Sequence, residues 1–184
     1  MSTARSTRIL AASCAALAGA CGLAACGGGG GGTRTFSDHA MAISFQYPSG
    51  LNGGTITTIA QHAGAHGPAA RKAVAVDHHN VLLVEKYKVT IPTTKADLPE
   101  LERASDQVIS GLFRRALNGT RTTFNGLPAV TYPPLPSAGH TTSQISYVFL
   151  DGAGYELDCQ WTSTHESEMK QACRQMKATL KRRS

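Results

Sequence analysis

Several features are scarce or missing in this chain, and each absence narrows what it can do. Among its 184 residues there is no G-x-S-x-G, so no tight strand-to-helix turn lifts a hydrolase serine into a cleft. No C-x-x-C occurs, which removes the usual redox pair and the usual zinc knuckle. No internal repeat is found, which excludes a solenoid or propeller. Charged residues make up only 16% of the chain, 18 basic against 12 acidic, for a formal net charge of +6. Arg5 and Arg8 precede the apolar start; without them the balance is 16 basic against 12 acidic, or +4. A charge so small and scattered is no nucleic-acid footprint and fits solubility near an anionic surface. No strongly apolar run reaches the roughly 20 residues a spanning helix needs. Residues 9–25 come nearest, at 17 residues, but they are mostly alanine with some leucine.

What is present at the N-terminus reads as a targeting segment. Two arginines, an uncharged run and small residues before a cut site describe a secretory signal over residues 1–25. It ends in Leu23-Ala24-Ala25-Cys26, and six glycines follow at once, Gly27 to Gly32. Glycine loses the most backbone freedom on ordering and packs nothing, so no folded element favours this run. The four residues resemble the lipobox of bacterial lipoproteins, in which the cysteine thiol receives a diacylglyceryl group and the peptide bond before it is cut. Cys21 competes less well, with Ala18 where a branched aliphatic is preferred. An ordinary soluble secreted protein cut nearby is the rival reading. On the lipobox reading Cys26 is the lipidation site, residues 26–35 are an anchored tether, and residues 36–184 are one globular domain. The chain then sits on the extracytoplasmic face of the cell membrane. Two acyl chains hold stably where one holds marginally, at roughly 0.8 kcal/mol per buried methylene. Nine tether residues reach about 15–18 Å on average and about 30 Å when stretched.

Five cysteines are present. Cys14 and Cys21 leave with the leader and Cys26 takes the lipid, so Cys159 and Cys173 remain as a pair in an oxidising compartment. Tyr155, Leu157, Cys159 and Trp161 alternate onto one strand face. Met169, Cys173, Met176 and Leu180 share one helix face. A disulfide between the two cysteines closes a loop of about 15 residues, worth roughly 3 kcal/mol in the chain-entropy model. Trp161, in step with core positions, is packing.

Periodicity predicts a strand in residues 36–47 and a second at 55–60. Two more, 72–76 and 81–91, form a hairpin around "DHHN", where Asp77 caps backbone amides. A helix follows with a stripe of Leu98, Leu101, Val108, Ile109, Leu112 and Ala116. Pro99 lies in its first turn, and Asn118-Gly119 ends it. Asn125-Gly126 marks a hairpin. Strands 141–150 and 154–162 follow, then a helix over about 166–181 capped by Ser163 or Thr164. The fold class is therefore α+β, a mainly antiparallel sheet with a helix on each side.

The series "ISFQYPSGL", "VEKYKV", a long helix, "TTFNGLPAVTY", "ISYVFLDGAGYELDC" and a closing helix with a second cysteine resembles the PsbP-like and Mog-type αβα sandwich. More narrowly, it is similar to actinobacterial envelope lipoproteins of that group. The family's plant members dock on photosystem II and its Mog-type members bind a small GTPase. The resemblance implies the fold and a non-catalytic docking role, with no cofactor and no site residue transferred.

Other constellations are weaker. His62, His66, His78 and His79 would make a zinc or copper site only if their two loops met, and no carboxylate or cysteine pair completes the set. Ser167-x-x-Lys170 matches a serine-acylation motif by chance, without its companion triplets. Asp97, Glu100, Glu102 and Asp106 support a helix dipole and a solvated face. Tyr132 to Pro136, "YPPLP", stiffens a loop rather than serving as a proline ligand. Lys177, Lys181, Arg182 and Arg183 dress a helix end, or touch anionic lipid or wall polymer. The leading expectation is a membrane-anchored, non-catalytic binding module for an envelope component. A carrier of a small apolar ligand or lipid is the alternative, and a metal-binding protein or hydrolase comes after it.

Overall fold

The computed structural model describes residues 32–54 and 68–183. Cys26, His62, His66 and the strand expected at 55–60 lie outside them.

The first described strand, β1 (Thr33–Ser37), runs antiparallel to β2 (Ile43–Pro48). Their partnered residues Phe36 and Phe45 stack ring on ring, 4.5 Å between centroids. Asp38 turns the chain between them, its Oδ1 accepting the Ala40 amide at 2.9 Å. Where alternation predicts one strand over 36–47, two are present, and β1 begins inside the stretch expected as tether. The burial of Phe36 against Phe45 fixes β1, and the β-branched Thr33 and Thr35 suit it.

The larger sheet is antiparallel throughout. Its order is β3 (Asn52–Gly54), β4 (Ala70–Ala75), β5 (Val81–Lys88), β10 (Ala153–Trp161), β9 (Thr142–Leu150), β7 (Leu127–Thr131), β6 (Thr120–Phe124), with β8 (Leu135–Pro136) beside β9. Its hairpins follow local chemistry. Asp77 Oδ1 accepts the His79 and Asn80 amides at 2.7 and 3.0 Å between β4 and β5. Asn125-Gly126 and Asp151-Gly152 have positive φ at both residues, as two-residue turns matched to strand twist require.

The helices α1 (Leu98–Phe113) and α2 (Glu166–Thr179) cover opposite faces of this sheet. Strand β9 shows why both faces need cover. Its Ile145, Tyr147 and Phe149 pack with Leu98, Leu101 and Ile109 of α1, while Val148 and Leu150 join Met169, Ala172 and Met176 of α2. Strands β1 and β2 lie on the α2 side, in the same core. The fold is thus α+β, a mainly antiparallel sheet between two helices, as the sequence predicts.

Four local expectations are corrected. Helix α1 stops at Phe113, with Arg114 in the left-handed region at φ 51°, instead of at Asn118-Gly119. Gly119 is used for close approach: its amide donates to Asp106 Oδ1 at 2.8 Å, and a Cβ there would lie 2.3 Å from Val130 Cγ1. Within the apolar stripe Ser105 is buried, bonding the Leu101 carbonyl, whereas Val108 and Leu112 are 52% and 37% exposed and Ala116 lies beyond the helix. The N-cap of α2 is His165, without a side-chain cap bond, instead of Ser163 or Thr164. Helix α2 ends at Thr179, so Lys181 and Arg182 form β11 (Lys181–Arg182), pairing with Ser44 and Ile43 of β2.

Candidate functional site

Strand β10 alternates like any strand, yet all nine of its residues are buried. Ala153, Tyr155, Leu157, Cys159 and Trp161 face the α2 core. The intervening set must face the other way, and apart from Gly154 it is polar: Glu156, Asp158 and Gln160. The same face of β5 carries Glu85, directly opposite Glu156 in register, and Arg71 of β4 lies opposite Glu85. Three carboxylates are thus enclosed on one face of the sheet.

Their partners come from neighbouring strands. Glu85, with its side chain fully buried, accepts from Arg71 Nε and from the Tyr87 hydroxyl. Asp158 accepts from Ser143 Oγ and from Gln160 Nε2, the latter at 2.6 Å. Glu156, 3% exposed, accepts from the Tyr147 hydroxyl through Oε2 at 2.8 Å, and its Oε1 has no hydrogen-bond partner. Burial first, then the negative charges of Asp158 and Glu85, push the Glu156 carboxyl up to about 8, against the opposing Tyr147 bond. Glu156 therefore holds a proton at neutral pH. Burial also raises the Tyr87 and Tyr147 hydroxyls well above the ordinary phenol range, which keeps both as donors. A proton-holding carboxyl among carboxylates is the pattern of an acid catalyst, but chemistry on a substrate needs access. Glu85, Glu156 and Asp158 are all buried in the sheet face.

This cluster was missed in the sequence, although "YELDCQW" contains its signal. Residues two apart share a strand face, so Glu156 and Asp158 had to point together. Strand β9 carries apolar residues on both faces, Ile145, Tyr147 and Phe149 against Val148 and Leu150, and its neighbour β10 shares both covered faces.

The residues singled out from the sequence lie elsewhere. Cys159 and Cys173 stand at disulfide distance, 6.1 Å between Cα atoms, joining β10 to α2. His78 and His79 occupy the β4–β5 turn with rings 3.9 Å apart, the His79 ring lying beside Gly139. Among the described residues no three histidines, cysteines or carboxylates are gathered to hold a metal. Lys170 bonds Glu166 at 2.5 Å and lies over the Trp161 ring, so it serves no serine. In "YPPLP", Tyr132 is buried and donates to Asp106 Oδ1 at 2.8 Å, and Leu135–Pro136 pair with β9. The basic end is partly engaged. Lys177 lies 5.4 Å from the Phe124 ring centroid, where burial lowers its ammonium to about 8. Arg182 bonds Asp151 at 2.7 Å. An open groove of about 290 Å³ runs between the small sheet and β3–β4, lined by Thr35, Phe36, Tyr47 and Val74 and rimmed by an Asp38–Lys72 ion pair at 3.0 Å.

No protein-family model matches the chain, and no curated protein does. Solved structures do. The solution structure of cyanobacterial PsbP (CyanoP) from Synechocystis sp. PCC 6803 superposes with a TM-score of 0.54 at 16% identity, over 88% of this chain and 99% of that one. A crystal structure of a protein from Bacteroides thetaiotaomicron VPI-5482 superposes with a TM-score of 0.53 at 11% identity, over 82% of this chain. The match spans about half of that longer protein, 48%. At these identities the likeness is one of fold: the described domain is PsbP-like.

Proposed function

We propose that this chain is an extracytoplasmic lipoprotein, anchored through Cys26, whose PsbP-like head is a non-catalytic docking module for another envelope component. The observation that carries the docking half is the burial of the clustered acid-base groups. Glu85, Glu156 and Asp158, the clustered carboxyls among the described residues, are enclosed in the sheet. With that cluster enclosed, the reading follows the docking role that the PsbP-like resemblance implies.

The anchor half rests on Leu23-Ala24-Ala25-Cys26 and the glycines after it. Because β1 begins at Thr33, the link between lipid and head is six residues, Gly27 to Gly32, with a contour of about 20 Å. That keeps the head within one domain diameter of the headgroups.

Affinity capture of the full chain from detergent-solubilised membranes of cells that make it tests the docking half. A reproducible, stoichiometric envelope partner is the expected result; recovery of the chain alone in repeated preparations contradicts it.

A further inference from the structure

Donors are divided unequally among the three buried carboxyls. Glu85 takes Arg71 Nε and the Tyr87 hydroxyl. Asp158 takes Ser143 Oγ and Gln160 Nε2. Glu156 takes the Tyr147 hydroxyl alone, at 2.8 Å, and its Oε1 meets no donor although the residue is 3% exposed. Glu156 also stands directly opposite Glu85 in register, and like charges placed so repel. A dry carboxyl with one donor and a carboxylate across the strand is the one of the three that keeps a proton.

The groups that face it leave its charge uncompensated once that proton is lost. Strand β9 brings Tyr147 and Ser143, β5 brings Tyr87 beside Glu85, and β10 itself brings Gln160 and Asp158. Burial keeps the two tyrosines protonated through the range in which Glu156 titrates. Helix α1 meets Tyr147 through Leu98, Leu101 and Ile109, which carry no charge. Among the described residues Arg71 of β4 is the cation of the cluster, and Glu85 already holds it.

One side of the cluster lies close to water. The Arg71 side chain is 24% exposed and Tyr87 is half-buried. The backbone is also weakest there. Strand β3 pairs with Ala73, Val74 and Ala75 of β4, so among the described residues Ala70, Arg71 and Lys72 are held in the ladder by β5 alone.

We propose that this part of the sheet is a proton-operated latch: while Glu156 keeps its proton the ladder around Arg71 stays closed, and when the proton leaves, water enters beside Arg71 and Tyr87 and β4 and β5 part there. A carboxylate at Glu156 puts a second unmatched negative charge on a dry face, and local hydration relieves it without unfolding the head. The latch depends neither on the lipid anchor nor on docking. It differs from a general loss of stability in being confined to one stretch of the sheet.

Hydrogen–deuterium exchange of the full chain in detergent micelles tests it, measured from about pH 6 to about pH 9.5 and corrected for the intrinsic pH dependence of amide exchange. The expected result is a fall in protection of about tenfold or more in residues 70–72 and 83–87, with β6 and β7 changing by less than about twofold. Glu156→Gln should abolish that fall. A fall shared equally by β6 and β7 marks whole-head unfolding and overturns the latch, as does a local fall that persists in Glu156→Gln. Glu85→Gln serves where that variant does not fold. It frees Arg71 to neutralise Glu156, so the fall should again vanish, and a fall of undiminished size overturns the proposal. In the unaltered chain the side-chain carboxyl carbon of Glu156, followed by NMR, should titrate over the same pH range as the loss of protection; titration in a different range overturns it.

Discussion

Glu156 is the residue on which the interior turns. Its carboxyl faces Glu85 across β5–β10, with Asp158 two residues along the same strand and Arg71 as the nearby cation. Since burial and these neighbours raise it from an ordinary value of 4.5 to about 8, the folded state binds a proton that the unfolded chain releases. Its contribution to stability is full below about pH 4.5 and is lost as pH rises through about 8. Between those limits the slope approaches 1.4 kcal/mol per pH unit. Denaturant midpoints measured from pH 5 to 9 should therefore fall with rising pH, and Glu156→Gln should flatten that profile; an unchanged slope in the variant contradicts the assignment. Gly119 offers a second test at this scale. A methyl group there meets Val130 at 2.3 Å, so Gly119→Ala should cost about 1–3 kcal/mol by chemical denaturation.

At the scale of elements, α1 separates what pattern reveals from what it hides. Leu101 and Ile109 are fully buried, so truncation of either to alanine should cost about 2–5 kcal/mol. Val108→Ala, on the same periodic stripe but exposed, should change stability by less than about 0.5 kcal/mol. Periodicity finds such a helix because the 3.6-residue repeat is local. It misjudges Val108 and Leu112 because how far the sheet extends beneath a helix is a tertiary fact. The hairpins were legible for the same local reason: Asn125-Gly126 and the Asp77 turn depend only on adjacent residues. Strand β1 was hidden because its single buried side chain, Phe36, gains meaning only against Phe45. The carboxylate cluster was hidden because a polar residue in a strand ordinarily marks the wet face, and here Arg71, Tyr87, Ser143 and Tyr147 from neighbouring strands close over that face of β10. The link between β10 and α2 can be tested directly. Opening Cys159–Cys173 by a double Cys→Ala substitution should lower unfolding free energy by about 3 kcal/mol, in a loop of sequence separation 14.

For the whole molecule, the proposal made above joins a lipid at Cys26, a glycine link and a PsbP-like head. Lengthening the glycine run by a further ten residues should leave the melting temperature of the head unchanged.

The central claim is acylation of one thiol, and intact mass spectrometry of the chain extracted from membranes tests it most directly. The account predicts a polypeptide that begins at Cys26, lacks residues 1–25, carries at least two fatty acyl chains and is lighter by two hydrogens for a closed Cys159–Cys173 bond. A soluble, unacylated chain still beginning at Met1 with both cysteines reduced would contradict it.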